Sequence, residues 1–200
     1  MVDPRIDLYC EDRGHEQFAR ALISRLAGPL SLHPKVENPS GRGGHGRALS
    51  QLRAWQKAKA KERALGQPSP ELVILLIDAN CEGWSQVHRK LSELIDPELF
   101  PLVTVGCPDP HIERWCFADP AAVSKVFGVA APADPGKCER LLYKRLLRST
   151  IKSAGRRPLT GEMEYAPDLV AEMDLYRAGK SQPSLGHFIA DLTAAFKQLA

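Results

Sequence analysis

Acidic residues follow three apolar runs of this 200-residue chain. Leu72 to Ile77 (LVILLI) runs into Asp78, with Asn80 and Glu82 at alternate positions behind it. Ile6 to Cys10 is followed by Glu11, Asp12 and Glu16, and Leu102 to Val105, closed by Gly106, by Asp109, Glu113 and Asp119. A buried strand has no solvation reason to end on a carboxylate, which makes Asp78 and Glu11 the strongest functional candidates. Asp109, directly before Pro110, reads better as a cap or turn residue. Glu16, in a first helical turn, divides between complementing the helix dipole and serving a site. If the three runs are neighbouring strands, their acids converge, and like charges so close are tolerable only beside something positive. A hard divalent cation is the simplest answer: Mg²⁺, with Mn²⁺ as the alternative ion, takes carboxylate oxygens and keeps several waters.

The elements that must position these acids are legible from periodicity. The three runs are continuous rather than alternating, as in parallel strands covered on both faces, and helical patterns separate them. HEQFARALISRLAG carries Phe18, Leu22 and Leu26 at helical spacing and stops at Gly28-Pro29. SLHPKVENP is a weak fourth strand that Pro34 confines to an edge. Ala48 to Leu65 has good helix formers, and WSQVHRKLSELI ends at Asp96-Pro97. The order βα(β)αβαβ predicts an α/β fold with an open, mainly parallel sheet flanked by helices, and such sheets take their ligands outside the carboxyl ends of the strands, where these acids fall. Past Gly106 the sequence is helical: a helix to Ala118, a break at Asp119-Pro120, a short helix, then a strong one in which Leu142, Leu146 and Ser149 bracket one side. The strong helix and two further segments, APDLVAEMDLYRAG and PSLGHFIADLTAAFKQLA, make a C-terminal helical annex of three helices. The predicted division is 1-130 for the α/β core and 131-200 for the annex packed on it.

Composition narrows the function classes. With 44% hydrophobic and 26% charged residues the chain reads as soluble and globular, and a net charge of +3 permits a nucleic-acid partner without arguing for one. No stretch has the pattern of a signal peptide and no apolar run reaches a membrane span, so a cytoplasmic protein is expected. Five cysteines without a C-x-x-C pair predict reduced, buried thiols and no structural zinc.

The pieces YCEDRGHEQF, LLIDANCEGW and PHIERWCFADP, in that order, resemble the TOPRIM fold, and most of all the small TOPRIM-like proteins related to the nuclease domain of the OLD (overcoming lysogenisation defect) family. PSLGHFIADLTAAF resembles the closing helix of that group. The resemblance implies metal-dependent phosphodiester chemistry: Glu11 as ligand or general base, Asp78 as principal Mg²⁺ ligand, and Glu113 as a further ligand or supporting acid. It also implies a link to ATPase partners and to defence against phage. Two departures stand out. The turn from Glu11 to Glu16 is one residue longer than the family's, and Asn80 replaces the second Asp of Asp-x-Asp. An amide still offers a carbonyl oxygen but removes a charge. Either Glu82 compensates or the site binds metal poorly.

Two basic stretches are candidates for a phosphate backbone: Arg53, Lys57 and Lys61 among the cations of the second helix, and Arg140, Lys144, Arg148 and Lys152, which recur every four residues along one face of an annex helix. The alternative for both is a solvated outer face. SGRGGHGR lacks the Gly-Lys-Ser/Thr of a phosphate loop and reads as a connection. His15 and His45 are acid-base candidates, though a lone loop histidine is usually exposed. Trp55, Trp84 and Trp115 read as core or rim residues, and Cys10 and Cys107 sit in too apolar a setting for a thiolate nucleophile. Taken with these residues, the resemblance implies a Mg²⁺-dependent nuclease acting on DNA or RNA. The competing readings are a subunit with a degenerate metal site that binds nucleic acid or a partner, and an enzyme acting on a nucleotide.

Overall fold

A computed structural model describes residues 3-39, 45-139 and 141-200. Four strands, β1 (Arg5–Cys10), β2 (Lys35–Glu37), β3 (Leu72–Leu76) and β4 (Val103–Gly106), form one open sheet in the order β2-β1-β3-β4, with every pair parallel. Ile6 stands opposite Val36 and Leu72, and Leu76 opposite Cys10 and Gly106, so the carboxyl ends of β1, β3 and β4 are level. The weak strand predicted around Pro34 is indeed short and at an edge.

The unbroken apolar run of β3 is explained by its two faces. Leu72, Ile74 and Leu76 join Ile6, Leu8 and Cys10 in one hydrophobic cluster, while Val73, Leu75 and Ile77 join Tyr9 in another. Period-two alternation puts every second residue on each face, so a strand covered on both sides needs apolar residues throughout. The second cluster is closed by α2 (His45–Ala64) and α3 (Trp84–Leu94), where Trp55 stacks on Phe100 with ring centres 4.8 Å apart. The first is closed by α1 (Arg13–Ala27) and by helices from the end of the chain.

After the short α4 (Ile112–Trp115) and α5 (Pro120–Phe127) come α6 (Leu142–Ser153), α7 (Ala166–Glu172), α8 (Leu175–Ser181) and α9 (Pro183–Leu199). The described part of the annex thus holds four α-helices rather than three. Leu169 and Val170 of α7 and Leu185, Phe188, Leu192 and Phe196 of α9 lie in the same buried cluster as β1 and β3, so the end of the chain shares the sheet's core. Trp115 is the keystone: its ring lies between Phe18 and Phe188, and its Nε1 donates to Ser184 Oγ at 2.9 Å. Gly106 permits the close approach of α9, since a Cβ there would lie 2.7 Å from Leu76 Cδ1 and 2.9 Å from Phe188 Cδ2. The buried face of α6 is Tyr143, Leu147, Thr150 and Ile151, which corrects the expected Leu142, Leu146 and Ser149 stripe by one position. No helix of the described residues is long and apolar enough to cross a membrane.

The cysteines depart from expectation. Cys10, Cys107 and Cys116 are buried thiols, but Cys81 and Cys138 form a disulfide, their Cα atoms 5.8 Å apart. The expectation that all five are reduced fails for this pair because the fold brings together two residues 57 apart in sequence.

Candidate functional site

The turn out of β3 does not end the ladder abruptly. Ile77 N–H donates to Gly106 O, Ala79 N–H to Pro108 O and Asn80 N–H to Pro110 O, so the segment after β4 escorts the Asp78 turn past the sheet. That pairing sets His111 beside Asp78. On the other side Asp12 caps α1, its carboxylate accepting from His15 N–H at 3.1 Å, which turns the imidazole of His15 toward β3.

Asp78 is 7% exposed, and both of its oxygens are held. Oδ1 lies 2.9 Å from His15 Nε2 and Oδ2 3.2 Å from His111 Nδ1. His15 is 1% exposed, and its Nδ1 lies 2.8 Å from Asp12 Oδ1. Each ring nitrogen of His15 therefore faces a carboxylate oxygen, an arrangement satisfied when both nitrogens carry protons. Burial opposes the charge on His15, but Asp78 and Asp12 outweigh it and hold the imidazole well above its ordinary pKa. Burial likewise pushes Asp78 up, and His15 and His111 prevail, leaving its carboxyl below the usual range. Asp12 is lowered too: burial is outweighed by its hydrogen bonds to His15 and to that residue's charge. His111 is raised, chiefly by its hydrogen bond to Asp78. The centre is thus an ionised Asp12–His15–Asp78 chain with His111 at its end.

Glu11 after β1, Asp78 after β3 and Glu113 of α4 line one cleft of ≈ 490 Å³, together with Asn80, Cys81 and Lys144 of α6. Glu11 Oε2 accepts from Asp78 N–H at 3.4 Å. Ligand atoms of Glu11, His15 and Asp78 lie within 4.8 Å of one another, whereas Glu113 stands outside that group. Burial first, then the charge of Asp78, raises the Glu113 carboxyl above its ordinary range. Glu11, Asp78 and Glu113 are hard oxygen donors and suit Mg²⁺ or Mn²⁺. His15 adds no nitrogen ligand, because its two nitrogens serve Asp12 and Asp78.

The other predicted residues divide. Asn80 borders the cleft, but its φ of 47° is a left-handed conformation that asparagine tolerates better than most residues, and its Nδ2 donates to Asp78 O at 3.3 Å. Asn80 thus has a conformational reason to be there. The expected compensation by Glu82 is corrected: it is exposed, off the cleft, and paired with Lys90 Nζ at 2.5 Å. Asp109 accepts from Trp84 N–H at the start of α3, and Asp119 caps α5 and binds Arg177, so both are structural. Glu16 pairs with Arg20.

Of the annex stripe, Lys144 reaches the cleft, Arg148 donates from Nε to Glu162 at 2.6 Å, and Lys152 is exposed away from it. Arg140, residues 40-44 of the glycine run and the His45 side chain lie outside the described residues. Arg53, Lys57 and Lys61 make an exposed stripe along α2, and none of them lines the cleft. Burial pushes the Cys107 thiol up to about 12, in keeping with an inert cysteine.

His111 and the bridging role of His15 are what sequence reasoning missed. His15 was visible three residues after a cap residue, at the third helical position, where a side chain can turn back across the helix start. His111 gave no local signal, since its partner is 33 residues away.

No curated protein and no solved structure matches the chain. One family model, described as a domain of unknown function (DUF4276), matches residues 10–193, from the end of β1 to the last helix. That match spans both the cleft and the helices that close the core, and the chain belongs to the DUF4276 family.

Proposed function

We propose that this protein is a Mg²⁺-dependent nuclease that hydrolyses phosphodiesters of DNA or RNA, in keeping with its resemblance to TOPRIM-like proteins. The observation that carries the reading is that Glu11 after β1, Asp78 after β3 and Glu113 of α4 line one cleft together with Lys144. Glu11 and Asp78, with Glu113 beside them, would hold the ion. When bound it supplies Lewis-acid polarisation of a phosphate and a nucleophile from water. The chain's own residues do the rest. His15 and His111 are positioning residues: by occupying one oxygen each of Asp78 they fix its plane and keep it ionised. Lys144 offers the cleft a positive charge for a phosphate oxygen. Among the described residues no base-reading element lines the cleft, so selectivity would come from elsewhere. An ATPase partner, as in the phage-defence systems of the resembled group, is the proposed source.

A second reading has its own support: both Asp78 oxygens already have imidazole partners, and Asn80 stands where a second acid is expected. On that reading the protein is a binding subunit with a degenerate metal site.

The test is titration of the wild-type protein and Asp78→Ala with Mg²⁺ and Mn²⁺, followed on the same samples by cleavage of plasmid DNA and structured RNA. Ion binding and cleavage that both vanish in the variant are expected. Absence of both from the wild type refutes the nuclease and favours the binding subunit. Cleavage of mononucleotides in preference to polymers moves the substrate to a nucleotide.

A further inference from the structure

A second cluster of ligating side chains stands apart from the cleft. α3 lies on one face of the sheet and α9 on the other, and they meet along the free side of β4, the edge strand. A groove there is lined by Val103 and Val105 of β4 together with His88 of α3 and Asp191 of α9. One turn before Asp191, His187 completes the group: its Nδ1 lies 3.1 Å from Asp191 Oδ2, and His88 Nε2 lies 3.9 Å from the same oxygen. The two imidazoles meet edge to face, 4.8 Å between ring centres, and Trp84 backs both rings at 5.1 and 6.5 Å. All three ligand atoms lie within 4.8 Å of one another.

We propose that His88, His187 and Asp191 form a Zn²⁺ site that clasps α3 to α9 across the β4 edge. Two imidazoles and one carboxylate are the donor set of zinc sites with three protein ligands and an open fourth position, and imidazole favours Zn²⁺ over Mg²⁺. Tetrahedral zinc with bonds of about 2.0–2.1 Å places its ligand atoms about 3.3 Å apart. The separations of 3.1 and 3.9 Å bracket that value, so rotation of the partly exposed rings suffices to close the site. His187 and Asp191 are preset by their spacing of four on one helix, and the third ligand comes from the opposite layer. The ion would therefore join two elements that otherwise meet at the sheet's open margin. The site is independent of the carboxylate cleft and of its proposed chemistry.

The experiment is calorimetric titration of the full-length, tag-free, chelator-stripped protein with ZnCl₂, with His88→Ala, His187→Ala and Asp78→Asn alongside. With excess Mg²⁺ present to occupy the carboxylate cleft, the expected result is one Zn²⁺ site in the wild type, unchanged in Asp78→Asn and weakened at least ~10-fold in each histidine variant. At Zn²⁺ about 100 times Kd, the wild-type Tm should rise by about 5–10 °C, a shift that His187→Ala abolishes. Imidazole ¹⁵N shifts of His88 and His187 in the wild type, followed on adding Zn²⁺, give a readout that needs no variant to fold. Both should move. No Zn²⁺ binding by the wild type, binding that survives both histidine variants, binding lost in Asp78→Asn, or unmoved His88 and His187 resonances would each overturn the proposal.

Discussion

Replacing His15 with leucine removes a charge from the most buried part of the cleft while keeping an apolar stem. The wild-type imidazole makes two charge-assisted hydrogen bonds, at 2.8 Å to Asp12 and 2.9 Å to Asp78. Such bonds contribute roughly 1.5–3 kcal/mol each. The Asp12 bond is discounted, because that side chain is 58% exposed and water screens it. The Asp78 side chain is 10% exposed, and without His15 its charge keeps only the 3.2 Å contact to His111. Removing one partner of a buried pair is strongly destabilising, so the expected loss is about 3 kcal/mol at pH 7. For a chain of this length that lowers Tm by about 6–12 °C.

Urea unfolding with chelator present measures it. The pH dependence follows from the directions of the shifts. Asp78 is lowered, so its contribution is present above about pH 3.9, its unfolded pKa, and is lost as pH falls through the folded value. His15 is raised, so its contribution is full below about pH 6.5 and is lost only as pH rises through its folded pKa. The stability difference between wild type and variant should thus be a plateau from about pH 4 to about pH 6.5, falling below it as Asp78 protonates and above it until pH passes the folded pKa of His15. In a double-mutant cycle with Asp78→Asn, the combined loss should be well below the sum of the two. A loss under about 1 kcal/mol, or strict additivity, refutes the ionised chain.

Four further outcomes are expected. Lys144→Glu should weaken nucleic-acid binding and cleavage at least ~10-fold, and Arg148→Glu much less because Glu162 already engages it; a filter-binding series that ranks them oppositely refutes the assignment of the cleft wall. Lys59→Met removes the cation 3.4 Å from Asp7, a carboxylate that burial pushes up, and should cost about 1–3 kcal/mol at pH 7 and little at pH 3, read by urea denaturation. Gly186→Ala puts a Cβ 2.7 Å from Gly179 O, a backbone atom that cannot swing aside, and should lower stability by about 1–3 kcal/mol, more than Gly106→Ala, where side-chain ends give way. Reduction of Cys81–Cys138 should lower stability by about 2–4 kcal/mol, with alkylation under non-reducing conditions reporting whether the bond is present in the purified protein.

Much of the fold was written in local pattern. The unbroken LVILLI run announced a strand buried on both faces, because period-two side chains demand it, and Pro34 announced an edge strand because it lacks an N–H. The parallel order set the carboxyl ends of β1 and β3 side by side, and with them Glu11 and Asp78, whereas Glu113 reaches the cleft from α4. The basic stripes were weaker guides, since exposed lysines recur at helical spacing whether or not a ligand lies near, and only the contacts of Lys144 and Arg148 tell them apart.

By itself, the sequence determined the strands, most of the helices and which acids end the strands, since these depend on neighbours a few residues away. Tertiary structure alone decided that Glu82 leaves the cleft for Lys90, that Cys81 finds Cys138, and that His88 meets His187 and Asp191. It decided equally that His15 and His111 take the two oxygens of Asp78. Apart from Glu82 and Lys90, each of these pairings between elements joins residues 33 or more apart, and no local periodicity carries the direction in which a side chain will point once two distant segments have packed.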